Sequence, residues 1–338
     1  MAASTAASNM RRRMVVTGLW LPLRAQWSYR PSRQRKRSMS NPGTLDGVLA
    51  PILTPFTNAL TPHVPLFVGL AHHLMGQGLG LAPFGTTSEG NSLGVEEKVE
   101  LLDALAEIGL NMARVMPGTG CCALTDSVTL TSHAVNLGCG GVLMLPPFYY
   151  KNPSEDGLFA SFAEVIERVG DSRLRVYLYH FPQQSQIPIS HGLIERLLAA
   201  YPTTVVGIKD SSGDLANMEG MCRAFPGFKV FSGTERLILP VMRAGGAGCI
   251  SANANIHGPA MLELWRRWRE PQAEALQKDL EGFRAIMEGM PLIAALKALT
   301  ARRTGDYGWR RVRPPLMALP PDAEIELVDR LAKAGIAI

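Results

Sequence analysis

The sequence lacks the patterns that mark several common classes of protein. No run of apolar residues approaches the ~20 that a helix needs to cross a bilayer. The five cysteines are an odd set without a Cys-x-x-Cys pair, which argues against a disulfide framework and against a zinc site. The seven histidines include no His-x-His or His-Glu-x-x-His pattern. We therefore expect no membrane association and no metal ion.

Acidic residues are missing from the first part of the chain, where Asp46 is the first to occur. Residues 1–45 carry eight arginines and one lysine, which give this segment a charge of +9. The formal net charge of the whole chain is +5, so residues 46–338 have a charge of −4. Because the chain after residue 45 is mildly acidic, it gives no reason to expect nucleic-acid binding.

Residues 1–45 are predicted to form a basic, disordered leader before the folded domain. Residues 11–23 resemble the start of a secretory signal, but no Ala-x-Ala-like cleavage site follows and Arg24 arrives too soon. An arginine- and serine-rich segment without acidic residues also fits an organellar transit peptide. A third interpretation places the natural start of translation at Met39. We favour the disordered leader with a start near Met39, and we expect a cytoplasmic protein.

From Gly47 onward, short apolar runs alternate with amphipathic segments of helical length. The predicted strands are 48–56, 80–85, 113–117, 142–145, 176–180, 205–209, 230–232 and 248–251. Helical patterns follow them near 64–76, 95–109, 124–138, 155–169, 191–201, 214–224, 236–244 and 257–270. Eight such units favour a (β/α)8 TIM barrel over residues 46–270 rather than an open doubly wound sheet. Residues 271–338 show helical patterns alone and are predicted to form a helical annex.

Lys209 is the most informative residue of the chain. The run Val205-Val206-Gly207-Ile208-Lys209 indicates a buried strand with the lysine at its C-terminal end, directly before a turn. In parallel α/β proteins this end of a strand is where ligands bind. An amine held there against apolar walls can lose its proton and attack a carbonyl carbon. The alternative is a lysine that ends the strand and points to solvent.

Other predicted strand ends carry hydroxyl groups, which a barrel would bring to the same face as Lys209. The hydroxyls and backbone N–H groups of Thr86 and Thr87 suit a carboxylate. Tyr179 can act as a general acid and base toward a carbinolamine. The alternative for Tyr179 is a core tyrosine with a hydrogen-bonded hydroxyl.

Five motifs occur in an order and at a spacing typical of one enzyme family: Gly85-Thr86-Thr87, Pro117-Gly118-Thr119-Gly120, Tyr179-x-x-Pro182, Gly207-Ile208-Lys209-Asp210 and residues 248–253. On these motifs, residues 46–300 resemble the dihydrodipicolinate synthase/N-acetylneuraminate lyase family of class I aldolases. The resemblance implies a (β/α)8 barrel, usually a homotetramer. It also implies a Schiff base between a lysine and pyruvate or another 2-keto acid, without a cofactor.

The resemblance assigns roles to single residues. It makes Lys209 the Schiff-base lysine, Tyr179 the proton-transfer tyrosine and Thr87 the residue that binds the keto-acid carboxylate. The carbonyl of Ile250 is expected to line the site.

The resemblance also implies a second tyrosine that enters the site from a neighbouring subunit. Thr86 would link Tyr179 to this tyrosine, which corresponds to either Tyr149 or Tyr150. The loop is one residue longer here than in the synthases, so the choice between the two stays open.

Two departures from the family pattern bear on the substrate. Ser88 stands where the family has a glycine. A serine at this position would stiffen or reshape the loop. Gln184 stands where the synthases use an arginine to bind the carboxylate of the aldehyde substrate. A glutamine cannot supply the charged, bidentate fork of an arginine. The chain is therefore predicted to be a family member without this arginine, acting on a neutral, hydroxylated or aromatic partner.

The predicted function is a Schiff-base lyase or aldolase that cleaves or condenses a 2-keto acid, or dehydrates a keto-deoxy sugar acid. One alternative is 4-hydroxy-tetrahydrodipicolinate synthase proper, joining pyruvate to aspartate semialdehyde with another cation, such as Arg114, Arg173 or Arg243. The other is a non-catalytic barrel that binds a keto acid. A binder would not need both a nucleophilic lysine and a proton-transfer tyrosine, which argues against it.

Overall fold

A computed structural model describes residues 43–336, and parallel strands form its centre. The strands are Gly47–Ala50 (β1), Gly80–Leu81 (β2), Val142–Met144 (β3), Val176–His180 (β4), Val205–Asp210 (β5), Lys229–Ser232 (β6) and Gly248–Ile250 (β7). They are hydrogen-bonded in the order β2-β1-β7-β6-β5-β4-β3, and every pair is parallel.

Residues 115–119 fill the gap between β2 and β3 and close the sheet into a barrel. Val115 forms a parallel bridge with Leu81, and Gly118 forms one with Leu143. The strand predicted at 113–117 is wrong in its bounds, because a 3₁₀ turn occupies Met112–Arg114 and pairing begins only at Val115. With this segment the barrel has its eight parallel members, as predicted.

The first strand is also shorter than predicted, since it ends at Ala50 instead of residue 56. Pro51 and Pro55 lie in the predicted remainder and have no N–H group to donate to a neighbouring strand. Phe56 instead forms an antiparallel bridge with Pro62. The apolar run therefore continues as buried loop rather than as strand.

Helices follow the strands and form the outer layer. They are Val64–Gly76 (α1), Val95–Glu107 (α2), Leu124–Asn136 (α3), Glu155–Val169 (α4), Pro182–Ser185 (α5), His191–Ala200 (α6), Leu215–Ala224 (α7), Ile238–Arg243 (α8), Ala254–Arg267 (α9), Ala273–Met287 (α10), Leu292–Thr304 (α11) and Pro321–Lys333 (α12). The short helix α5 was not predicted. The last three correspond to the predicted C-terminal helices, so the fold prediction of a (β/α)8 barrel with a helical annex is confirmed.

Two apolar cores hold these layers together. The larger lies between the barrel and the helices. The smaller fills the inside of the barrel with Leu49, Met116, Leu143, Tyr177 and Phe231 among others. A filled barrel has no pore, so ligands have access to the strand ends rather than to the centre.

The predicted leader lies outside the description except for residues 43–45. Within residues 43–336, no helix combines the length and apolar character that a membrane crossing requires.

Candidate active site

Lys209 and Tyr179 lie side by side because neighbouring strands place them in register. The pairing of β4 with β5 sets Tyr179 opposite Lys209 at the C-terminal ends of both strands. Lys209 Nζ lies 3.4 Å from the Tyr179 hydroxyl and 4.4 Å from the centre of its ring. The two residues are 5% and 4% exposed, so the amine and the phenol meet where little water reaches. Lys209 therefore does not point freely into solvent.

Thr86 extends this contact by one more hydroxyl. Its Oγ1 lies 3.3 Å from the Tyr179 hydroxyl, in a contact where either oxygen can donate. The hydroxyl of Tyr179 thus lies between an amine and a second hydroxyl. Such a chain of exchangeable protons can move a proton to or from a group bound at Lys209.

The loop of residues 85–90 holds Thr86 and Thr87 at the barrel mouth. A Cβ at Gly90 would lie 2.0 Å from the carbonyl oxygen of Phe84, so only glycine fits this close approach. Thr54 Oγ1 donates to the carbonyl of Ser88 at 2.7 Å, and Ser88 is fully buried. The left-handed position of the loop falls on Glu89, with φ 54°, so the serine in place of the family's glycine meets no backbone strain.

A buried ion pair fixes this loop to the C-terminal part of the chain. Lys297 on α11 donates to the Glu89 carboxylate, and the backbone N–H of Arg313 donates to its other oxygen at 2.8 Å. Lys297 also donates to the carbonyl of Arg311 at 2.7 Å. Burial disfavours the ammonium and lowers the pKa of Lys297 to about 8, although Glu89 opposes the shift. Sequence reasoning missed this pair, since 208 positions separate its members.

A cavity of about 780 Å³ opens above Lys209 and Tyr179. Its lining includes the following residues singled out from the sequence: Thr86, Thr87, Tyr179, Gln184, Lys209 and Ile250. The strand ends and the loop after β2 therefore bring these six to one space. The far wall comes from the C-terminal helices and the segment before α12.

Tyr149 and Tyr150 are the predicted site residues that do not line this cavity. They are 74% and 78% exposed, and their rings meet edge to face at 5.3 Å. Lys151 joins their loop to helix α5, which carries Gln184, because it donates to the carbonyls of Phe148 and Ser185. Within one chain the two phenols therefore lie apart from Lys209.

The arginines considered as replacements for the family's arginine do not line the cavity. Arg114 donates to the carbonyl of Gly78, Arg173 pairs with Asp171, and Arg243 pairs with Glu274. Two other arginines line it instead, Arg236 and Arg284. Sequence reasoning missed both, because Arg284 lies on a helix outside all five motifs and the family pattern gave no reason to single out Arg236.

The histidine next to Tyr179 in the chain forms a hydrogen bond with the backbone. His180 ends β4, and its Nδ1 accepts from the Ile189 N–H at 3.0 Å. Burial lowers the pKa of His180, although Asp210 opposes the shift. Among residues 43–336, no three His, Cys, Asp or Glu side chains cluster as metal ligands would.

Comparison with known proteins identifies the family to which this site belongs. A sequence model of the dihydrodipicolinate synthetase family matches residues 44–334. The chain belongs to this family. An uncharacterized DapA-like lyase of Chloroflexus aurantiacus is 33% identical to it over 276 residues, which are 81% of this chain and 91% of that relative.

Two proteins named as synthases are also similar to this member of the dihydrodipicolinate synthetase family. The 4-hydroxy-tetrahydrodipicolinate synthase of Desulforamulus reducens is 33% identical over 258 residues, covering 74% of this chain and 86% of its own. The crystal structure of dihydrodipicolinate synthase from Agrobacterium tumefaciens matches with a TM-score of 0.79 at 28% identity, covering 85% of this chain and 99% of that one. The family predicted from the five motifs is confirmed, and with it the prediction of an enzyme of this family's class I lyase type.

Proposed function

We propose that the protein is a lyase or aldolase that forms a Schiff base between Lys209 and pyruvate or a related 2-keto acid. The observation that carries this proposal is the contact of Lys209 Nζ with the Tyr179 hydroxyl at 3.4 Å, at the floor of a cavity. Membership of the dihydrodipicolinate synthetase family supports it.

Formation of the imine follows from these positions. The neutral amine of Lys209 attacks the ketone carbon of the keto acid and forms a carbinolamine. Tyr179 donates a proton to the carbinolamine oxygen, which leaves as water as the C=N bond forms. The phenolate of Tyr179 that results stays 3.3 Å from the Thr86 hydroxyl, which can donate a hydrogen bond to it.

The imine then draws electrons from the bond to be broken. In the cleavage of a 4-hydroxy-2-keto acid, Tyr179 takes the proton of the 4-hydroxyl and the C3–C4 electron pair moves toward the imine nitrogen. An aldehyde leaves, and the enamine that remains is protonated at C3 and hydrolysed to pyruvate and free Lys209. Condensation runs through the same steps in reverse, and dehydration of a keto-deoxy sugar acid would start from the same imine.

Thr87 and Ile250 are proposed to orient the keto acid. Both line the cavity beside Lys209. The hydroxyl of Thr87 and the backbone N–H groups of its loop can donate to a carboxylate, which would hold the ketone carbon toward the amine. Gln184 faces the same cavity and is proposed to contact the second half of the substrate.

The site of one chain is proposed to be completed in a homotetramer. A phenol at position 149 or 150 would enter a neighbouring copy and extend the Thr86–Tyr179 chain. Their exposure of 74% and 78% supports this proposal, since large apolar rings on a surface are typical of interfaces.

The synthase reaction with aspartate semialdehyde is the second candidate. Arg236 and Arg284 line the cavity and supply the positive charge that Gln184 does not. The non-catalytic binder remains the weaker alternative, because binding alone does not need the buried contact of an amine with a phenol.

The proposal is tested by following pyruvate release from a set of 4-hydroxy-2-keto acids with a lactate dehydrogenase couple. The unmodified protein is expected to cleave at least one of them, and Lys209→Ala is expected to cleave none. Lys209→Arg should be equally inactive, since a guanidinium stays protonated and cannot attack. Cleavage by Lys209→Ala at the unmodified rate would refute the role of this amine.

A further inference from the structure

The cavity has a second polar region that the Schiff-base chemistry does not use. Besides Lys209 and the hydroxyl groups, its lining includes Arg236, Arg284 and Glu288. Glu288 accepts a hydrogen bond of 2.8 Å from Arg236 Nη2, so these two charges largely compensate each other. Arg284 is the second cation of this region, and its two ion pairs are longer.

Arg284 makes no close contact with the carboxylates beside it. Its Nη1 lies 3.9 Å from Glu235 Oε2, and its Nε lies 3.7 Å from Glu288 Oε1. Both distances are longer than a hydrogen bond. The side chain is only 25% exposed, and no acceptor among residues 43–336 lies within hydrogen-bond distance of its guanidinium.

The nearest carboxylate has its oxygens occupied by other donors. Glu235 is buried and accepts from the Ser251 hydroxyl at one oxygen and from the Asn253 amide at the other. It therefore compensates the charge of Arg284 at a distance without bonding to it. A largely buried guanidinium with unused donors is costly unless a ligand or water supplies acceptors.

The surroundings of Arg284 indicate what kind of ligand carries those acceptors. The lining of the same cavity also includes the apolar side chains of Leu237, Leu292 and Met317. A ligand that fills the cavity from Lys209 to Arg284 would thus meet apolar side chains as well as a guanidinium. A planar carboxylate matches the paired donors of that group.

We propose that Arg284 binds a carboxylate at the distal end of the substrate, so that the enzyme acts on 2-keto acids with a second acidic group. The inference rests on the proposed Schiff base at Lys209. This substrate differs from the neutral partner expected from Gln184, because the cation comes from α10 and not from α5, where Gln184 lies.

Trapping of keto acids of matched length tests this directly. The protein is incubated with 2-oxoglutarate, 2-oxoadipate or 2-oxopimelate, and separately with 2-oxopentanoate, 2-oxohexanoate or 2-oxoheptanoate, and is then reduced with borohydride. Mass spectrometry gives the concentration at which half of Lys209 is trapped. Trapping needs only imine formation, so no turnover is required.

For at least one length, the dicarboxylate is expected to be half-trapped at a concentration about 10- to 100-fold below that of its monocarboxylate. Arg284→Gln should abolish this preference, and Arg284→Lys should keep part of it. Arg243→Gln is the matched control, because it removes one positive charge outside the cavity and should leave the preference intact. Half-trapping by pyruvate should be unchanged in all three variants, which also shows that they fold.

Two results would overturn the inference while leaving the Schiff base standing. One is trapping of pyruvate on Lys209 without a dicarboxylate preference at any length. The other is a preference that persists in Arg284→Gln. Failure of pyruvate to trap on Lys209 would instead refute the proposed function itself.

Discussion

Tyr179 touches both Lys209 and Thr86, so a change at its hydroxyl separates proton transfer from binding. Tyr179→Phe removes the oxygen but keeps the ring that packs against Phe181 at 5.9 Å. We expect the fold and the affinity for the keto acid to be retained, with turnover reduced ~10²- to 10⁴-fold, the usual effect of a positioned acid or base.

Thr87→Val is the matched comparison, because it removes a hydroxyl from the same cavity without breaking the chain of contacts to Lys209. It should weaken keto-acid binding more than it lowers turnover. Steady-state kcat and KM for the two variants check both expectations. Turnover of Tyr179→Phe at the unmodified rate would show that the phenol is structural.

Gln184 allows a prediction about the synthase reaction. Without an arginine at this position, condensation of pyruvate with aspartate semialdehyde is expected to be negligible. Gln184→Arg should raise it, because a charge-assisted bond to the aldehyde's carboxylate contributes on the order of 1.5–3 kcal/mol. Product formation at matched enzyme concentration measures both. Efficient synthase activity of the unmodified protein would contradict this and favour the second candidate.

Among the single residues of the site, sequence reasoning identified those that lie in short motifs at strand ends. Lys209, Tyr179 and Thr86 are far apart in the chain, yet parallel strands bring their ends to one face, so their meeting could be predicted. Arg284 and Lys297 could not, because a basic residue on an amphipathic helix is usually solvated and its partners depend on how that helix packs.

Among the structural elements, the loop after β2 and helix α11 are joined by Glu89 and Lys297, both buried. Lys297→Met leaves the Glu89 carboxylate without its cation. Removal of one member of a buried pair is expected to cost roughly 3–5 kcal/mol. Keto-acid binding should weaken as well, because the same loop carries Thr87. Chemical unfolding and KM check these two effects.

Lys278→Met serves as the control, since Lys278 is an exposed lysine on α10. It should change stability by less than about 0.5 kcal/mol, as is usual for surface substitutions. Equal stability of the two variants would mean that the buried pair contributes nothing.

Because the pKa of Lys297 is lowered in the folded protein, the contribution of this residue to the free energy of unfolding depends on pH. In the unfolded chain the lysine keeps its usual pKa of 10.5, whereas in the folded protein the pKa is about 8. Between these values the unfolded state binds more protons, so this group raises the free energy of unfolding as pH rises. The gain is expected to accumulate between about pH 8 and pH 10.5. A difference from Lys297→Met that stays constant from about pH 7 to pH 10 would contradict this assignment.

The elements that sequence reasoning placed incorrectly lie where apolar runs do not follow strand geometry. Residues 51–56 are buried and mostly apolar, yet Pro51 and Pro55 prevent the pairing of a regular strand. The segment predicted as the third strand begins with a 3₁₀ turn at Met112–Arg114. The periodicity of apolar residues indicates which residues are buried, but it does not indicate which backbone groups form hydrogen bonds.

For the whole molecule, we expect a homotetramer in which one tyrosine of the exposed pair completes a neighbouring site. Tyr149→Phe and Tyr150→Phe, made separately, should both remain tetrameric by sedimentation, and only one of them should lose turnover. The variant that loses turnover identifies the phenol that reaches the neighbouring copy. A fully active monomer, or two variants with unmodified turnover, would contradict this arrangement.

An imine at Lys209 is the step on which the proposed reaction depends. Incubation with pyruvate and borohydride, followed by peptide mapping by mass spectrometry, tests it directly. We predict a covalent mass increase on the peptide that contains Lys209 and none in Lys209→Ala. An adduct on a different lysine, or no adduct in the unmodified protein, would contradict the role of Lys209.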